Sequence, residues 1–127
     1  MSTREISAET VYQQIATRQT AVVEMAGILA VAQGASSSEV ASKKSAMEIE
    51  DISTETVYQQ IALRMRFAST VLGLAATATG VSSSSVSRVE TDRVTREISA
   101  DTVYQQMAIR VSVTTEMLEL ITEKLVE

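Results

Sequence analysis

Apolar residues recur along this chain at the spacing of a helical face. Val11, Ile15, Val22, Met25 and Leu29 form one stripe, Val57, Ile61, Ala68, Val71 and Ala75 a second, and Val103, Met107, Met117 and Ile121 a third. Steps of three, four, seven and ten residues place such positions on one side of an α-helix, whereas a half-buried strand would alternate every second residue. A neighbouring stripe, Tyr58, Ala62, Met65, Leu72 and Ala76, widens the apolar side, so much of the helix surface is expected to be buried. Gly34 and Gly80 stand where a helix stop belongs. The pattern predicts long helices of roughly 26 residues, near 40 Å each at about 1.5 Å per residue.

The three stripes belong to one repeated unit. "ISAETVYQQIA" at 6–16 returns as "ISTETVYQQIA" at 52–62 and "ISADTVYQQMA" at 98–108, a spacing of 46 residues each time. Residues 3–48 laid on 49–94 give 19 identities in 46 positions without a gap, and 95–127 continue the register as a truncated third copy. All of 1–127 therefore reads as a single domain built from this repeat. Nine positions are the same in every copy, in the phrase I-S-x-x-T-V-Y-Q-Q-x-A-x-R.

Much of that phrase resembles a helix start. Ser7, Ser53 and Ser99 are expected N-caps, with Glu9, Glu55 and Asp101 in the first turn, where the helix dipole favours negative charge. Ile6/Val11, Ile52/Val57 and Ile98/Val103 then have the spacing of hydrophobic staples. The linkers 35–52 and 81–98 open on serine runs and continue with charged residues and scattered Val, Met and Ile. They are expected to carry short returning helices near 39–50 and 85–96, with an extended segment as the alternative. The resulting fold class is all-α: three long helices in a solenoid-like array, each unit burying a face on its neighbour. A three-helix bundle is the competing topology.

Composition narrows the chemistry. The chain lacks Pro, Cys, His and Trp and carries a net charge of −5. Disulfides, thiolate nucleophiles and imidazole bases or ligands are thus absent, and the acidic balance disfavours phosphate-rich partners such as nucleic acid. No G-x-S-x-G elbow, S-x-x-K or glycine-rich phosphate loop occurs, so no enzyme and no cofactor is expected. The clusters Glu48/Glu50/Asp51 and Glu116/Glu119/Glu123 lack the pattern of a calcium loop and read as solvated faces, so no metal is expected. The uncharged stretch 67–87 raises a membrane span, but its apolar part is short of the roughly 20 residues a bilayer asks for. With a polar start and no signal-peptide pattern, the expected location is the cytoplasm.

The remaining candidates lie in the repeated phrase. Tyr12, Tyr58 and Tyr104 are expected to pack between neighbouring copies, with Gln13, Gln14, Gln59, Gln60, Gln105 and Gln106 bonding locally or forming a polar ladder between copies or chains. Arg18, Arg64 and Arg110 are expected at an edge, stem on apolar surface and head in water. A sharper reading is an inter-subunit ion pair with a first-turn acid of another copy, Glu9, Glu55 or Asp101. "ISAETVYQQ", residues 6–14, resembles the Ile-Thr…Thr-Val-x-Gln opening of R-body ribbon proteins of the killing-trait type, without the Ala-Pro-Ala element that follows there. That resemblance implies polymer formation. The expected function is a structural protein that associates with itself as a homo-oligomer or filament. Alternatives are a binding module for a peptide or protein, and a membrane-active or R-body-like polymer protein.

Overall fold

The computed structural model describes residues 10–127. Among them the chain forms five α-helices and no strand: α1 (Val11–Ala32), α2 (Ser37–Ile52), α3 (Val57–Thr79), α4 (Ser83–Ile98) and α5 (Val103–Leu125). The long helices α1, α3 and α5 follow the three apolar stripes, and both linkers are helical rather than extended. Ser36 and Ser82 cap the short helices, their hydroxyls accepting from the backbone N–H of Glu39 and Ser85.

The long helices start later than the serine caps suggest, and so run to 22, 23 and 23 residues. Thr10, Thr56 and Thr102 are the N-caps, in extended backbone conformation, each accepting from the N–H three residues on. The glutamine at that third position, Gln13, Gln59 or Gln105, returns its side-chain oxygen to the threonine N–H at 3.0, 3.2 and 3.3 Å. Thr-x-x-Gln thus closes a reciprocal capping box. Ser53 has Thr56 at its third position and cannot form one. Ser53 and Ser99 instead terminate α2 and α4, their hydroxyls donating to the carbonyls of Glu50 and Arg96. Glu55 and Asp101 consequently precede the cap instead of occupying the first turn. The expected staples fail for the same reason, with Ile52 and Ile98 85% and 81% exposed. Ser7, Glu9 and Ile6 lie outside the described residues.

Gly34 and Gly80 do end their helices. Both have positive φ, +109° and +113°, a conformation that a Cβ disfavours. It lets Ala35 and Val81 donate back to the carbonyls of Ala30 and Ala76, satisfying groups that the helix end leaves unpaired.

The chain then reverses through the short helices, so α1, α3 and α5 run parallel. Their starts meet at Tyr12, Tyr58 and Tyr104, and Lys124 near the end of α5 lies against Gly80 after α3. α3 is the middle of the row, packed on α1 and on α5, while α1 and α5 do not pack on each other among the described residues. The long helices therefore form an open array and not a closed bundle. α2 lies against α1 and α3, and α4 against α3 and α5. One core runs through the row, including Val23, Ala30, Val71, Ala75, Val113 and Met117.

α1 and α3 are both long and apolar enough to cross a bilayer by length and composition. For α3 the packing explains the composition: two thirds of its apolar window is buried inside the protein, against little more than a quarter for α1.

Candidate interaction surfaces

The repeated phrase converges on the seam between successive long helices. Tyr12, Tyr58 and Tyr104 stand side by side, with edge-to-face ring contacts at centroid distances of 4.9 and 5.4 Å. This arrangement sets the positive ring edge on a negative face. Hydrogen bonding with Tyr12, then Tyr104, together with burial, pushes the Tyr58 phenol well above its ordinary value. The tyrosines thus pack between copies.

Six residues further on, Arg64 and Arg110 each bind two neighbours at once. Arg64 donates through Nη1 to the Ala16 carbonyl of α1 at 2.8 Å, and through Nε and Nη2 to Asp51 of α2 at 3.1 and 2.9 Å. Arg110 repeats this on Ala62 of α3 at 2.7 Å and on Glu97 of α4 at 2.8 and 3.2 Å. The planar guanidinium suits this task, since its fork of donors can hold a carboxylate while a third N–H reaches elsewhere. Arg64 is half-buried and Arg110 buried, so neither keeps its head in water as expected. Their acids are Asp51 and Glu97 at the ends of the preceding short helices, not Glu55 and Asp101, because the later helix start moves those two in front of the cap. Arg18 holds the corresponding place on α1 and is exposed.

Arg93 adds a second cation to Glu97, at 2.9 Å, and also reaches Glu90. Burial pushes the Glu97 carboxyl up, but hydrogen bonds and charge from Arg110 and Arg93 outweigh it and hold the group below its ordinary value.

The glutamines divide by position. Gln13, Gln59 and Gln105 are exposed and serve the capping boxes, while Gln14, Gln60 and Gln106 are half-buried along the helices. Of the acidic clusters, Asp51 and Glu50 are bound by Arg64 and Arg66, and Glu116 faces Arg96. Among the described residues no group of three or more potential ligands is placed to hold a metal ion.

Sequence reading placed Asp51 on a solvated face, where the structure has it half-buried on Arg64, and missed Glu97 and the acceptor alanines. A signal was present: Glu5, Asp51 and Glu97 are acidic at one repeat position, and Ala16, Ala62 and Ala108 coincide at another.

Both ends of the row expose apolar surface. On α1, Met25 and Ile28 are 61% and 70% exposed, beside Val31 and a groove of about 470 Å³ that also involves Val40 and Lys44 of α2. On α5, Val111, Leu118 and Leu125 are exposed, as is Val126 just after the helix. A smaller groove of about 210 Å³ is lined by residues of all three long helices, including Met25, Leu29, Leu72 and Leu118.

Fold and seam together define an all-helical repeat array with two open ends. Comparison with known proteins finds no matching family model, curated protein or solved structure.

Proposed function

We propose that this chain is a structural protein that associates with copies of itself, as a homo-oligomer or filament in the cytoplasm, without catalysis. One observation carries the reading. The outer stripe of α1, Arg18, Ala21, Met25, Ile28 and Ala32, corresponds through the 46-residue register to Arg64, Phe67, Val71, Leu74 and Ala78 of α3 and to Arg110, Val113, Met117, Leu120 and Lys124 of α5. Val71 and Met117 are fully buried against the preceding long helix, whereas Met25 is mostly exposed. The chain thus displays at one end a surface that it buries twice internally. Full burial of such a side chain contributes about 1.5–3 kcal/mol, enough for a few of them to favour association.

The test is sedimentation and light scattering over a concentration series, with negative-stain microscopy, for the wild type and for Met25→Lys/Ile28→Lys. Concentration-dependent assemblies that the double variant loses, with helicity unchanged, support the proposal. A monodisperse monomer throughout the series would refute it.

A second reading rests on the groove over α3, which could seat an apolar peptide of a partner. The exposed apolar side of α1 also admits a membrane surface, and flotation of the chain with liposomes in place of self-association would favour that alternative.

A further inference from the structure

The two ends are the two halves of one interface. The outer stripe of α5 corresponds to the stripe with which α1 receives α3: Ala16, Val23, Ala26 and Ala30, all buried there, become Ala108, Thr115, Leu118 and Thr122, all exposed. The outer stripe of α1 corresponds to the one that α3 and α5 insert. Two polar contacts occur twice at this interface. Tyr12 meets Tyr58, and Tyr58 meets Tyr104. Arg64 donates to the Ala16 carbonyl and Arg110 to that of Ala62, each reaching back 48 residues.

We propose that two molecules join head to tail in this same register, α1 of one copy seated on α5 of a second. Tyr12 of the first copy then continues the tyrosine row from Tyr104 of the second. The guanidinium of Arg18 donates to the Ala108 carbonyl of the second copy. This inference rests on the self-association proposed above and specifies its geometry.

The substitutions in α5 are compatible with such a joint. Thr115 and Thr122 keep a methyl group where Val23 and Ala30 pack. Glu119 takes the register of Gly27 and Gly73; a Cβ at Gly73 meets Val86 at 3.5 Å and Met117 of the next long helix at 3.8 Å, so Glu119 stands at the edge of the joint, with Met25 of the joining copy as its neighbour in register. In sequence register Glu5 stands where Asp51 and Glu97 serve the internal arginines. A two-fold pairing of α1 with α1 would use neither repeated contact and would leave the α5 stripe uncovered. A head-to-tail contact uses different surfaces on the two molecules, so it propagates into a filament unless its rotation closes a ring.

The chain contains no cysteine, which allows single-site cross-linking. Tyr12→Cys and Tyr104→Cys chains, one of them isotopically heavy, are mixed and treated with a short bismaleimide, and the linked products are weighed by mass spectrometry. Links between a Tyr12→Cys chain and a Tyr104→Cys chain are expected to dominate. Dominant Tyr12→Cys homodimers, or assemblies without cross-links, overturn the head-to-tail register while leaving self-association standing. A wild type that is monomeric at every concentration overturns both. Because cysteine at these sites can itself weaken the joint, Arg18→Ala in the otherwise unaltered chain gives a second readout. Loss of a hydrogen bond from a charged group should weaken association about tenfold or more at unchanged helicity. Unchanged association of this variant overturns the inference.

Discussion

Two glycines in the same repeat position should respond with opposite sign to the same substitution. Gly27 and Gly73 both lie inside long helices, where alanine is favoured over glycine by about 1 kcal/mol. Their surroundings differ. A Cβ on Gly27 would stand 2.9 Å from Cγ1 of Val40, whereas a Cβ on Gly73 would find Val86 at 3.5 Å, Glu90 at 3.7 Å and Met117 at 3.8 Å. Carbon atoms pack best at about 3.5–4.0 Å, so the second site accepts the methyl group and the first does not. Val40 is buried and its short, branched side chain cannot swing clear. Relief requires α2 to shift on α1, and overpacking of this kind costs about 1–3 kcal/mol. Gly73→Ala should therefore stabilise the fold by up to about 1 kcal/mol. Gly27→Ala should destabilise it by up to about 2 kcal/mol, the overpacking cost less the helix gain. Urea unfolding followed by circular dichroism, at concentrations low enough to keep the chain monomeric, reads both. Equal stabilisation by both substitutions would refute the close α1–α2 approach, and loss of stability in Gly73→Ala would refute the ordinary spacing between α3 and its neighbours.

The corrected helix start gives another contrast: Thr56→Ala removes an N-cap and half of a capping box and should cost about 1 kcal/mol, while Ser53→Ala removes a hydroxyl from an exposed helix end and should cost less. Reversed magnitudes in the same urea assay would restore serine as the cap. Glu97 supplies a pH dependence. Its carboxyl is held below the ordinary value of 4.5 in the folded state, so its contribution is present above that value and is lost as the pH falls through the folded-state value. Glu97→Gln should accordingly lose stability near neutrality and converge on the wild type in acid. A gap that stays constant with pH would show that the Arg110 and Arg93 contacts do not depend on the charge.

Why the seam holds together explains what could be read from residues alone. Helical periodicity, glycine stops and the 46-residue register are local properties of the chain, written in which positions are apolar and which repeat. They determined an all-helical fold with three long helices, and left open whether the linkers are helical and whether the row closes into a bundle. The choice between Ser53 and Thr56 as the cap was local too, and Gln59 three residues after Thr56 was its signal; two capping hydroxyls three residues apart made the wrong one plausible. The destinations of the arginine bonds were of another kind. Arg64 reaches an acid on α2 and a carbonyl on α1, and no spacing within α3 states which neighbours will be there. Only the tertiary structure decided that the row stays open, that Val71 is buried while Met25 in the same register is exposed, and that the repeated phrase lies along a seam between helices. The physical reason is that a helix's own residues fix its periodicity and ends, whereas burial depends on which neighbour arrives, and at the ends of this row none does within the described chain.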